Sequence, residues 1–133
     1  MEMNMESGTK LKAQQSLAST QADKITSADK NTFSHLVLDG KGPIAVEFMS
    51  YGCSHCGTLE PILQQVASML ESKVKIFRVN TETEKELATT FQVEATPTLI
   101  MFLNGKNVGK IVGPTPTVSS ILTAMAQPFR GFS

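Results

Sequence analysis

Two hydrophobic rhythms alternate along this chain. Short, nearly continuous apolar runs occupy Ile44 to Met49, Val74 to Val79 and Thr98 to Leu103. Between them, apolar residues return every three or four positions: Phe33, Leu36 and Val37; Leu59, Ile62, Leu63, Val66, Met69 and Leu70; Leu87, Ala88 and Phe91; Val118, Ile121, Leu122 and Met125. The runs predict strands covered on both faces, and the three-four spacing predicts helices packed by one side. Ser27 is placed to cap the first helix with Asp29 in its first turn, and Thr83 and Glu86 have capping-box spacing for the third. Asp39-Gly40-Lys41-Gly42-Pro43 reads as a turn. Asn104-Gly105 is a two-residue hairpin signal, which makes Asn107 to Val112 the antiparallel partner of the preceding strand. Pro61 predicts a kink in the second helix and Pro128 ends the last.

A short strand at Ile25 opens this series. Strands joined through helices run parallel with right-handed crossovers, and the hairpin adds an antiparallel edge. The pattern alone therefore gives an α/β fold: a central mixed sheet of four to five strands flanked by about four helices. The predicted domain spans 25–128. Residues 1–24, rich in Ser, Thr, Gln and Lys, read as a disordered or loosely helical extension, and 129–133 as a tail.

Composition narrows the function classes. The 133 residues suit one domain and, in this reading, a monomer. Lys+Arg and Asp+Glu both number 12, so nothing draws the chain to nucleic acid or an anionic membrane. No apolar run approaches the roughly 20 residues of a membrane span. The N-terminal residues lack the apolar core of a signal peptide, so the expected compartment is the cytoplasm, or the periplasm if a leader was removed.

Chemistry concentrates in Ser50-Tyr51-Gly52-Cys53-Ser54-His55-Cys56-Gly57, which holds both cysteines of the chain. Cys53 follows a strand and opens a helix, where unpaired N–H groups and the positive dipole end favour a thiolate. Cys56 lies in the first turn, within reach for a disulfide. Cys53 is then the exposed nucleophile and Cys56 the deeper resolver. A structural zinc site would need about four ligands. The chain offers Cys53, Cys56, His55 and the distant His35, with His55 awkwardly inside the pair, and no metal is expected. A pair of inert buried thiols fits the helix-tip position poorly. His35 reads as a half-buried helix residue. A partly protonated His55 would stabilise the thiolate and make the disulfide a stronger oxidant.

From Ile25 to about Gln127 the chain resembles the thioredoxin-fold family. The resemblance rests on Val46-Glu47-Phe48 before the site, Cys53-Ser54-His55-Cys56, Pro61, Thr96-Pro97-Thr98-Leu99, Phe102-Leu103-Asn104-Gly105 and Val112-Gly113. It implies a thioredoxin fold and thiol–disulfide exchange with protein substrates, the electrons carried by the cysteines without further cofactor. It implies a cis bond at Thr96-Pro97 facing the cysteines, with Thr96 as the backbone clamp on substrate. Tyr51, Gly52, Thr96, Pro97 and Gly113 would form a shallow, nearly uncharged groove. Glu47, costly in an apolar strand, stands where thioredoxins usually carry aspartate. It is expected to exchange protons with Cys56, the alternative being an acid paired with Lys75 or Lys110.

The site also departs from the family. Ser54-His55 replaces the usual Gly-Pro and is closer to DsbA-type oxidases and disulfide isomerases. Gly52 replaces the aromatic residue commonly before the first cysteine, Gly57 the basic residue after the second, and the chain has no Trp. Disulfide reduction is the favoured direction, with a recycling reductase or oxidase as partner. An exported oxidant or isomerase, and a redox sensor or binding module with little turnover, are the alternatives.

Overall fold

The computed structural model describes residues 22–130, so the expected N-terminal extension falls almost wholly outside the described residues. Five strands, β1 (Thr26–Ser27), β2 (Pro43–Met49), β3 (Lys75–Asn80), β4 (Thr98–Leu103) and β5 (Lys106–Val112), form one sheet in the order β1-β3-β2-β4-β5. β3 runs parallel to β1 and β2, whereas β4 is antiparallel to both β2 and β5. Three helices, α1 (Ser54–Met69), α2 (Lys85–Thr90) and α3 (Val118–Ala126), and a π-helical turn at Ser34–Leu38 flank the sheet.

Apolar density decides strand position. β2, the most continuous apolar run, is buried at every residue and occupies the centre. β5 carries Lys106 and Lys110 and lies at the edge, where charge discourages further strand pairing. Strand alternation divides the core. Ile44, Val46 and Phe48 face one side with Phe33, Val37, Val79 and Phe102. There the Phe33 ring lies 5.2 Å from Phe91, and Phe91 5.5 Å from Phe102. Ala45, Ile76, Leu99 and Met101 face the other side, under Leu59, Leu63 and Val66 of α1 and Ile121 and Met125 of α3. By the same alternation Glu47 of β2 and Arg78 of β3 point to the α1 side. They are direct cross-strand partners in the ladder.

Local signals were redistributed in three places. Ser27 belongs to β1, and the capping role passes to Asp29, whose Oδ1 accepts from Asn31 N at 2.8 Å and Thr32 N at 3.0 Å. The following helix is a short turn closed by Asp39 N donating to Ser34 O at 2.8 Å, and His35 on it is exposed rather than half-buried. α2 starts after Glu84 with no side-chain cap, while Thr83 Oγ1 donates to Asn80 O at 3.3 Å, so the capping box does not form.

The Asn104-Gly105 turn has φ of 51° and 82°, as a type I′ hairpin requires. A Cβ on Gly105 would come within 2.1 Å of the Leu38 carbonyl oxygen. Gly105→Ala therefore meets both a left-handed backbone and a backbone collision. It is expected to destabilise the chain by about 2 kcal/mol or more, read as a lower urea midpoint. An unchanged midpoint would mean that the hairpin and the Leu38 turn move apart at no cost.

Candidate active site

The C-terminal ends of parallel β2 and β3 lie side by side, and the loops leaving them brace each other. Thr81 N donates to Met49 O at 2.8 Å, and Ser50 Oγ donates to Glu82 Oε2 at 2.6 Å. Gly52 N donates back to Ser50 Oγ at 3.2 Å. This brace delivers the chain to Cys53, the N-cap of α1, in extended geometry (φ −95°, ψ 113°).

Cys53 and Cys56 are paired as a disulfide, with Cα atoms 5.2 Å apart. Cys56 N donates to Cys53 Sγ at 3.1 Å, one of the helix-tip N–H groups otherwise without a partner. Cys56 is buried at 3% exposure, whereas Cys53 is partly exposed. The two sulfurs thus have the asymmetry that exchange needs: one open to a substrate disulfide, the other behind it.

The Thr96–Pro97 peptide bond is cis, and the Thr96 carbonyl oxygen lies 3.5 Å from Cys53 Sγ. In the dithiol state a Cys53 thiol could donate to that oxygen. Pro97 is buried, and its carbonyl accepts from Gly113 N at 2.8 Å, extending the β4–β5 pairing by one step. A depression of about 330 Å³ beside this loop is lined by His55, Thr58, Thr96, Pro97 and Gly113 together with Pro114 to Pro116, and His55 is its only ionisable side chain. Tyr51, 76% exposed, stands at a different opening of about 320 Å³ that reaches Cys53, Cys56, Glu60 and Arg78. Gly52 is exposed and lines neither. The expected groove is therefore split, with Thr96, Pro97 and Gly113 beside His55 at one opening, Tyr51 at the other and Gly52 at neither.

Glu47 is 1% exposed, and neither carboxyl oxygen has a hydrogen-bond partner among the described residues. Burial, with the Glu60 charge adding to it and Arg78 opposing it, pushes its pKa up to about 7. The alternative lysine pairing is not found. Lys110 Nζ donates to Gln92 O at 2.7 Å, and Lys75 is in register with Ile44, three residues from Glu47 along β2.

Sequence reasoning missed Asp23, Glu60 and Arg78. Arg78 donates to Asp23 Oδ2 at 2.8 Å and to Glu60 Oε2 at 2.6 Å. Gln64 Nε2 joins the same two carboxylates at 2.6 and 2.9 Å. Arg78 carried a usable signal, a charge between Phe77 and Val79 in an apolar strand, the same anomaly that singles out Glu47. Among the described residues no group of three or more His, Cys, Asp or Glu is placed to share a metal ion, and no helix is long and apolar enough to cross a membrane.

Residues 24–127 match the family model Thioredoxin. Similar proteins include Thioredoxin 1 of a Nostoc species, 33% identical over 86 residues, covering 65% of this chain and 80% of that protein. Thioredoxin M5, chloroplastic, of rice is 29% identical over 102 residues, covering 75% of this chain and 59% of its own length. Thioredoxin Y, chloroplastic, of rice is 36% identical over 92 residues, 67% of this chain and 55% of its own. The chain thus spans less than two thirds of each rice protein and most of the cyanobacterial one.

Proposed function

This chain belongs to the thioredoxin family, and from that premise we propose that it is a protein-disulfide oxidoreductase working chiefly as a reductase. The observation that carries the reading is the Cys53–Cys56 disulfide at the tip of α1, with Cys53 against the Thr96 carbonyl and Cys56 buried behind it.

In the dithiol state the Cys53 thiolate attacks one sulfur of a substrate disulfide. That S–S bond breaks, and the departing thiolate takes up a proton. The substrate stays attached to Cys53 through a mixed disulfide. Cys56 then gives its proton to the Glu47 carboxylate and attacks Cys53 Sγ, and the second substrate thiolate leaves and is protonated. Two electrons and two protons pass to the substrate, and Cys53–Cys56 is left as a disulfide for a recycling reductase to reduce. An extended substrate segment pairs with the Thr96 backbone and rests in the depression by Pro97 and Gly113, where His55 is the one ionisable side chain, a lining that suits peptide better than a charged small molecule. With Gly52 and Gly57 in place of the family's usual side chains, Tyr51 is the main side chain offered on the other rim. A partner reductase that recognises the usual pattern is expected to work poorly.

This role calls for a compartment that supplies electrons, such as the cytoplasm, and for no cofactor beyond the cysteines themselves. A monomer suffices, since one chain carries every residue of the cycle.

One observation favours a second reading, an oxidant or isomerase. His55 is exposed in the first turn of α1 beside Cys53, where its cationic form would stabilise the reduced state. Equilibration with glutathione buffers separates the two. A midpoint near about −270 mV is expected for the reductase, and one between about −120 and −180 mV would assign the chain to oxidation or isomerisation. His55→Pro is expected to move the midpoint to more negative values. An unchanged midpoint would make His55 a bystander.

A further inference from the structure

Glu47 and Arg78 are cross-strand partners on the α1 face of the sheet, opposite charges at adjacent positions in a buried layer. Such a pair ordinarily bonds. Here it does not: both Glu47 oxygens are without a partner among the described residues, while the guanidinium bonds elsewhere. Arg78 Nη1 donates to Asp23 Oδ2 at 2.8 Å and Ile25 O at 3.2 Å, and Nη2 donates to Glu60 Oε2 at 2.6 Å. The clamp is itself held. Asp23 Oδ1 accepts from Ile25 N at 2.9 Å and from Gln64 Nε2 at 2.6 Å. The cavity lined by Cys56 is also lined by Asp23, Glu60 and Arg78, so the cluster and the resolving cysteine share one opening.

We propose that Asp23 and Glu60 are positioning residues that hold the Arg78 guanidinium out of a direct ion pair with Glu47, and so keep Glu47 available to accept the Cys56 proton. A bonded guanidinium would fix Glu47 as a carboxylate too weakly basic to take a proton from a thiol. Among the described residues the other charged or titratable groups at this cluster are Cys56 and Glu60 on α1, Arg78 on β3, Asp23 before β1 and Tyr51 in the loop after β2. β4 presents apolar Leu99 opposite Glu47. Glu60 acts twice, by holding the cation and by adding a negative charge that favours protonated Glu47.

The inference rests on the proton-acceptor reading of Glu47, and the test keeps the two apart. The Glu47 carboxyl is titrated by carbon NMR in the full chain, as wild type, Asp23→Asn/Glu60→Gln and Arg78→Met. In parallel, each reduced protein is mixed with an aromatic disulfide that releases one coloured thiolate on Cys53 attack and a second on Cys56 resolution. In the double variant the carboxyl midpoint should fall by about one pH unit or more as Arg78 turns to Glu47. The pH profile of the second release should move with it, and the first release should not. Arg78→Met should raise the midpoint. A cluster that only braces the fold would lower the urea midpoint and leave the carboxyl midpoint in place, which would overturn the proposal, as would a rise in the double variant. If the double variant does not fold, Asp23→Asn alone serves, because that side chain is 54% exposed and its loss frees the guanidinium while keeping the Glu60 charge beside Glu47. A carboxyl midpoint that moves while the second release keeps its pH profile would uphold the clamp on Arg78 and overturn the proton-acceptor role of Glu47.

Discussion

Cys53→Ser is expected to reduce insulin disulfides no faster than dithiothreitol alone, whereas Cys56→Ser should attack once and stop. The difference follows from burial. Cys53 is the sulfur a macromolecular disulfide can reach, and Cys56, 3% exposed, can reach only Cys53. A serine hydroxyl at position 53 is not ionised near neutral pH, so no nucleophile remains at the helix tip. With Cys56→Ser the mixed disulfide forms but nothing on the chain displaces the substrate. Intact-protein mass spectrometry should then show close to one substrate thiol attached per chain, removed by added dithiothreitol. If Cys53→Ser retains wild-type turnover, the oxidoreductase reading fails and a binding or sensing role takes its place. If Cys56→Ser accumulates no adduct and Cys53→Ser does, the attacking and resolving roles are reversed.

The helix-tip position of Cys53 and the burial of Cys56 were legible in the sequence because they depend on short-range order. A strand, two cysteines and a helical period fix which sulfur sits at the helix tip, whatever surrounds them. The sheet was legible for a similar reason: β2 has no polar residue except Glu47, and only a central strand is covered on both faces. The misreadings came where local signals compete with tertiary pairing. Ser27 is a good cap by type, but β1 pairs it with Arg78, and Asp29 caps the turn instead. Thr83 has the spacing of a capping box, but its hydroxyl bonds to the turn that leaves β3. The Arg78 cluster was out of reach for another reason. It joins residues from the segment before β1, from β3 and from α1, and across the separation of 55 residues from Asp23 to Arg78 the sequence carries no periodic mark of that contact. Glu47 could be singled out, but the cation it would meet was sought among the lysines. The strand register that makes Arg78 its neighbour appears only in the folded sheet.

Glu47→Leu is expected to stabilise the oxidised protein and, at the same time, to slow its reduced form in resolving substrates. Folding raises the carboxyl pKa from 4.5 to about 7, chiefly by burial. Between those values the folded chain keeps a proton that the unfolded chain has released. Wild-type stability should therefore fall as pH rises through that window and stay lowered above it. At about 1.36 kcal/mol per pH unit, the shift corresponds to roughly 3 kcal/mol at pH 8. Leucine fills similar space beside Leu99 and Ala45 and leaves no charge to bury. Urea unfolding across the window should show the gain of the variant over wild type increasing towards pH 8. Parallel curves would mean that Glu47 finds a compensating partner in solution. The kinetic half of the prediction separates a functional acid from an incidental one. Release of the second coloured thiolate, the step in which Cys56 must lose its proton, should slow in Glu47→Leu while the first keeps its rate. Equal slowing of both steps, or of neither, would reduce Glu47 to a buried charge with no part in the exchange. If the two halves hold together, an unpaired acid in the central strand costs the fold stability at the pH where resolution of the mixed disulfide needs a proton acceptor.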